Sequence, residues 1–212
     1  MPTVASDVAP APVVLDGRIA GVGTAHGTRL VVGRWLRSPL GGFADVMVEH
    51  PDGTRVLLAP RSDVADLVTR LYTFDAVHVV PVHVVADASS RTWTVVAGPL
   101  RARLTIGART PVGALLRLVP PVVVRARATA GLVDALAGAL VRGVRTRGRG
   151  RDGSSQVYAA RDQHALVALD ARWGDRSLGD LRRVGPPVRF GFSSVPAAPA
   201  VTAVQVTIDA PP

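Results

Sequence analysis

Short apolar runs of alternating period, each stopped by Gly, Pro or Asp, recur along this chain and limit what it can become. Residues 28–36 (TRLVVGRWL) are rich in β-branched and aromatic side chains and predict a strand. Residues 43–49 (FADVMVE) alternate, meet Pro51-Asp52-Gly53, and give way at once to 54–59 (TRVLLA). Asp-Gly supplies the left-handed turn geometry of a tight hairpin, so these two runs pair. Strands follow at 76–86, 91–97 and 100–106, with Pro81 confining the first to an edge or a bulge because it cannot donate a ladder bond. Further strands are expected at 155–161, 164–173, 187–193 and 201–208.

Helical period breaks this pattern in a few places. Val64, Leu67, Val68 and Leu71 fall at i, i+3, i+4 and i+7, one face of a helix over 62–72 with Ser62 as its cap. Pro111 opens a short helix at 111–118, the stacked Leu132, Leu136 and Leu140 predict a longer one over 123–142, and SLGDLRR (177–183) predicts a last short one. Many antiparallel strands with segregated helices define an α+β protein built on a curled, mostly antiparallel β-sheet or barrel with a few packed helices. We expect residues 1–17, rich in Pro and Ala, to be a flexible tail. One domain over 18–209 follows, with a basic loop at 142–154 and a short tail at 210–212.

Composition removes several chemistries. The chain has no lysine and no cysteine, so all 25 basic residues are arginine. A Schiff-base lysine, a P-loop lysine and a thiolate nucleophile are excluded. The first 15 residues lack the basic start and apolar core of a signal peptide, and no apolar run is long enough to cross a bilayer. The expected location is therefore cytoplasmic.

Two stretches, 27–60 (GTRLVVGRWLRSPLGGFADVMVEHPDGTRVLLAP) and 158–196 (YAARDQHALVALDARWGDRSLGDLRRVGPPVRFGFSSVP), together with TFDAVHVVPV (73–82), resemble a family of actinobacterial proteins to which no activity is attached. The turn Ser38-Pro39-Leu40-Gly41-Gly42-Phe43 leading into a strand also resembles the Pro-x-Gly-x-aromatic entry of the acetoacetate-decarboxylase-like superfamily. That resemblance implies a curled β-barrel with an interior cavity. It cannot carry the decarboxylase mechanism, which runs through a lysine this chain lacks.

The candidate chemistry centres on one strand face. Phe43, Asp45, Met47 and Glu49, the only glutamate, share a face of the strand 43–49, and Ala44, Val46 and Val48 share the other. The two acids stand about 13–14 Å apart along the strand, too far to pair but able to line one wall. Asp45 and Glu49 are the candidate catalytic acids. Arg34 is the candidate for holding an anionic group, with Tyr158 and His164 as further ligand contacts. The plainer reading is a solvated strand face.

Other motifs lead nowhere specific. His78 and His83 are five apart and point to opposite faces, and no third ligand accompanies them, so no metal site is expected. The glycines at 21, 23 and 27 precede a strand, not the helix a dinucleotide loop needs. Gly191-Phe192-Ser193-Ser194-Val195 lacks the second glycine of a nucleophile elbow. No cofactor is implied.

The leading expectation is a sheet enclosing a small-molecule pocket, either a binding protein or an enzyme using non-covalent acid–base chemistry. The alternative is an accessory protein that binds nucleic acid or anionic lipid through Arg142, Arg145, Arg147, Arg149 and Arg151. That segment has no aromatic neighbours for base stacking. A third possibility is an interaction module without a ligand, which an exposed apolar patch beside the strand at 76–86 would favour.

Overall fold

The computed structural model describes residues 11–118, 147–192 and 195–211. Its strands, in chain order, are β1 (Val13–Thr24), β2 (Arg29–Arg37), β3 (Phe43–Glu49), β4 (Arg55–Ala59), β5 (Ala76–Val79), β6 (Val82–Asp87), β7 (Thr92–Ala97), β8 (Leu100–Arg109), β9 (Arg147–Arg149), β10 (Ser155–Trp173), β11 (Arg176–Ser177), β12 (Leu181–Arg182) and β13 (Ala200–Asp209). Helix α1 spans Ser62–Leu71 and α2 spans Pro111–Leu118.

The strands form one sheet in the order β5-β4-β3-β2-β1-β13-β10-β8-β7-β6. All pairs along it are antiparallel except β4–β5, which α1 joins as a parallel crossover. The two ends of this order decide the shape. β5 and β6 are separated by only Val80 and Pro81, yet they lie at opposite edges of the sheet. The sheet must therefore curl until its edges are covalent neighbours, which makes the half-barrel. Pro81 sits at the break, where no ladder bond is required of it.

Curling gives the sheet two unlike faces. Val46, Val48 and Leu58 from one end meet Val82, Trp93, Val95 and Leu104 from the other, so this cluster fills the inside of the curl. The outer face of β1–β4, β10 and β13 packs against α1 and the segment 184–192. Helix α1 buries Val64, Leu67, Val68 and Leu71 there. Each such side chain contributes roughly 1.5–3 kcal/mol of burial.

Several expectations are corrected. β1 begins at Val13, so residues 13–17 belong to the sheet and not to a tail. Ser62 is the first helical residue, and Arg61 stands at the cap position without a side-chain cap bond. The expected strand 76–86 is two strands. The expected helix at 177–183 is replaced by the bridges β11 and β12, because Gly179 has φ of 74°, which no helix accommodates. The runs 155–161 and 164–173 are one strand carrying bulges near Arg161 and Ala165. Residues 187–192 make no ladder and instead cross the outer face. Part of the expected basic loop is β9, hairpin-paired with β10. The expected helix 123–142 lies outside the described residues, as do Arg142, Arg145, Ser193 and Ser194.

Candidate functional site

Strand β3 alternates as its sequence requires. Ala44, Val46 and Val48 enter the interior of the curl, and Phe43, Asp45 and Met47 face the gap beneath α1. Gly33 lies directly opposite Asp45 on β2. A Cβ at Gly33 would come 2.3 Å from Asp45 Oδ1 and 2.7 Å from Trp35 Nε1. The missing side chain is thus what admits the carboxylate and the indole together. Trp35 Nε1 donates to Asp45 Oδ1 at 2.9 Å, and Oδ2 accepts no bond among the described residues. Asp45 is 3% exposed and has no cationic partner among the described residues. Burial pushes its carboxyl up to about 6, and the Trp35 bond only partly restrains that shift.

The chain's two tyrosines complete the polar part of the gap. Tyr72 follows α1, its N–H held by Val68 O at 2.9 Å. Tyr158 and Gln156 project from the same face of β10. The hydroxyls of Tyr72 and Tyr158 share a short hydrogen bond. Gln156 Oε1 stands 3.2 Å from the first and 3.3 Å from the second. Burial pushes Tyr72 well above its ordinary value, reinforced by Tyr158 and by the charge of Asp45. Burial likewise raises Tyr158 to about 12. Both therefore remain protonated donors at neutral pH.

Between these groups lies a cavity of about 50 Å³. Its walls are apolar, drawn from Ile19, Val31, Leu67, Val68, Leu71 and Val206 among others, and among the described residues no cationic side chain lines it. Val188, Phe190, Phe192 and Val195 form a strap across it. Phe192 is seated over Gly148 of β9, where a Cβ would lie 2.2 Å from its ring.

Glu49, expected as a reagent, is the anchor of that strap. It is fully buried and receives Arg189 N–H at 2.7 Å, Arg189 Nε at 2.8 Å and Arg29 at 2.9 Å. Arg29 also donates to Pro186 O at 2.9 Å. Both carboxylate oxygens are consumed in holding 186–189 against β2 and β3.

The remaining expected residues divide. Tyr158 lies in the cavity wall with Asp45. Arg34 points to the opposite face of β2, because Gly33 and Trp35 face the cavity. His164 lies elsewhere, its Nδ1 3.3 Å from Gly107 O and its Nε2 3.7 Å from Asp162. Arg147, Arg149 and Arg151 lie in the β9–β10 hairpin, which docks on the end of α1 through Arg151 N–H to Leu71 O at 3.1 Å. Sequence reasoning missed Gly33, Trp35, Tyr72 and Gln156. An isolated glycine inside a strand was the one available signal of close approach.

No family model, curated protein or solved structure matches this chain. The decarboxylase-like resemblance implies a cavity inside the barrel. Here the inside is packed by Trp93, Leu100, Leu104 and their neighbours, and the cavity lies on the outer face. Among the described residues no three His, Asp or Glu side chains cluster as metal ligands, and no helix is long and apolar enough to cross a membrane.

Proposed function

We propose that the protein binds a small, uncharged, largely apolar molecule bearing one carbonyl or hydroxyl oxygen, and moves a proton on it. The observation that carries this reading is Asp45, a buried carboxyl near pKa 6 without a cation, facing a tyrosine pair across an apolar cavity. Such a group is a competent base at neutral pH, because its pKa lies close to the working pH. A site of this kind wants a neutral guest, since an anion would face Asp45 with no cation to offset the repulsion.

Size narrows the guest. At roughly 10–15 Å³ per water-sized group, a cavity of about 50 Å³ takes about four non-hydrogen atoms without displacement of the strap. For a short ketone the step is simple. A proton leaves the carbon beside the carbonyl for Asp45 Oδ2. The C–H electron pair forms the C=C bond of an enolate, and the carbonyl π pair moves onto oxygen, which accepts a hydrogen bond from Tyr72 or Tyr158. Return of the proton to either face restores the ketone. One tyrosine hydroxyl donates to the other, and the remaining O–H turns from Gln156 Oε1 to the guest as a single oxyanion-type donor.

Acetone, with four non-hydrogen atoms, tests this directly in D2O. The expected result is deuterium exchange beside the carbonyl that rises through pH 6, is lost in Asp45→Asn, and falls in Tyr158→Phe. Exchange equal in the wild type and Asp45→Asn, or saturable binding of acetone that Asp45→Asn leaves unchanged and without exchange, would reduce the cavity to packing or to a plain binding site.

A second reading, an interaction module, is favoured by the edge strands. Val77, Val79 and Val85 on β5 and β6 are 42%, 54% and 64% exposed. Exposed aliphatic side chains on unpaired edges invite strand addition. Sedimentation that depends on concentration in the wild type, but not in Val85→Lys, would support it.

A further inference from the structure

The inner face of the sheet carries a second site of opposite character. Arg18 on β1 and Arg34 on β2 are direct register partners. Both project on the side of Ala20 and Val32, two residues further along each strand, which belong to the packed interior. Register partners in an antiparallel pair have Cβ atoms about 4.5–5.5 Å apart, and like charges so placed repel. Nature's usual remedy is a neighbouring carboxylate, and two are within reach. Asp16, two residues from Arg18, is already shared by Arg37 at 2.9 Å and by Arg161. Asp162, in register with Ala203 beside Arg18, is held by Arg109 at 2.8 Å. Neither Arg18 nor Arg34 has a hydrogen-bond or ion-pair partner among the described residues, although Arg34 is half-buried. The flanking register positions are the small residues Ala44 and Ala203.

We propose that Arg18 and Arg34 clamp a small oxyanion, the phosphate or carboxylate group of a small molecule. Two guanidinium groups side by side offer paired N–H donors to one oxyanion, and that anion removes the repulsion between them. The site is independent of the Asp45 cavity, which lies on the other face and repels anions.

The test follows arginine Nε–Hε signals of the isotope-labelled protein as inorganic phosphate, or separately sodium acetate, is added. Sodium chloride at matched ionic strength is the control. The expected result is a saturable shift of the Arg18 and Arg34 signals. The thermal midpoint should also rise by roughly 3 °C at tenfold excess over Kd. Arg18→Gln, at an exposed position, should abolish both. A response to phosphate alone assigns a phosphate group, and a response to acetate assigns carboxylates as well. Equal effects of chloride, or a saturable shift that survives Arg18→Gln, would overturn the proposal.

Discussion

Replacing Asp45 by Asn should change stability in a way that depends on pH, and the magnitude follows from the cavity. In the folded protein the carboxyl is raised from 3.8 to about 6. Below pH 3.8 it is protonated in both folded and unfolded chains and contributes no difference. Between the two values the unfolded chain ionises while the folded one still holds its proton, so stability is lost as pH rises. Above about 6 the loss is complete, and two pKa units correspond to about 3 kcal/mol. Asn keeps an oxygen for Trp35 but introduces a buried amide, which costs about 1–3 kcal/mol at every pH alike. The pH-dependent part therefore isolates the carboxyl. Urea denaturation of both proteins from pH 4 to pH 8 should show Asp45→Asn gaining about 2.5 kcal/mol relative to wild type across that range. In a domain of this size that is roughly 5–10 °C in midpoint. A difference that stays flat with pH would mean that Asp45 titrates as an ordinary carboxylate, and the account of a dry cavity without a counter-charge would be wrong.

Other outcomes follow from single contacts. Gly33→Ala places a methyl where Asp45 Oδ1 and Trp35 Nε1 now meet; it should destabilise by about 1–3 kcal/mol and alter Trp35 fluorescence. Glu49→Ala leaves Arg29 buried without its partner and should cost about 3–5 kcal/mol in urea denaturation. Tyr158→Phe should leave the stability within about 1 kcal/mol of wild type while lowering acetone exchange, since Tyr72 still reaches Gln156.

The legible parts of the fold were those set by local pattern. The alternation of 43–49 and the Asp52-Gly53 turn placed β3 and β4, and four apolar side chains at helical spacing placed α1. What failed depended on partners distant in sequence. Nothing local says that the run 76–86 splits so that its halves cap opposite edges of one sheet, because that is a property of closure. SLGDLRR has helical composition, and only the left-handed Gly179 and its pairing to β1 and β10 reveal otherwise. The site was half legible for the same reason. Asp45 could be placed on a face, and its neighbours on β3 with it. Tyr72 and Tyr158 are 86 residues apart, and no spacing rule joins them. Arg34 was assigned to Asp45 by adjacency of strands, but residue parity turns it to the other side.

Asp45 and Glu49 show why residue type and strand face alone do not assign a role. Both are acids on the same face of β3, and both are buried. Glu49 has two arginines and a backbone N–H, so its charge is fully matched and its geometry fixed. Asp45 has a single indole donor and an apolar surround, so its charge is unmatched and its proton is held near neutral pH. A matched buried charge is costly to disturb and chemically quiet. An unmatched one is destabilising when ionised, and that same free energy is what makes it a strong base for a neutral guest. The two residues are also linked in space. Arg189, which Glu49 grips, adjoins Val188 and Phe190 of the strap over Asp45's cavity. In the proposed reading Glu49 thereby keeps water from Asp45, and loosening it with Glu49→Gln should lower the pKa of Asp45 toward 3.8 as solvent enters. A carboxyl 13C titration of Asp45 in that variant reads the shift, and an unchanged midpoint would show that the strap does not govern solvent access.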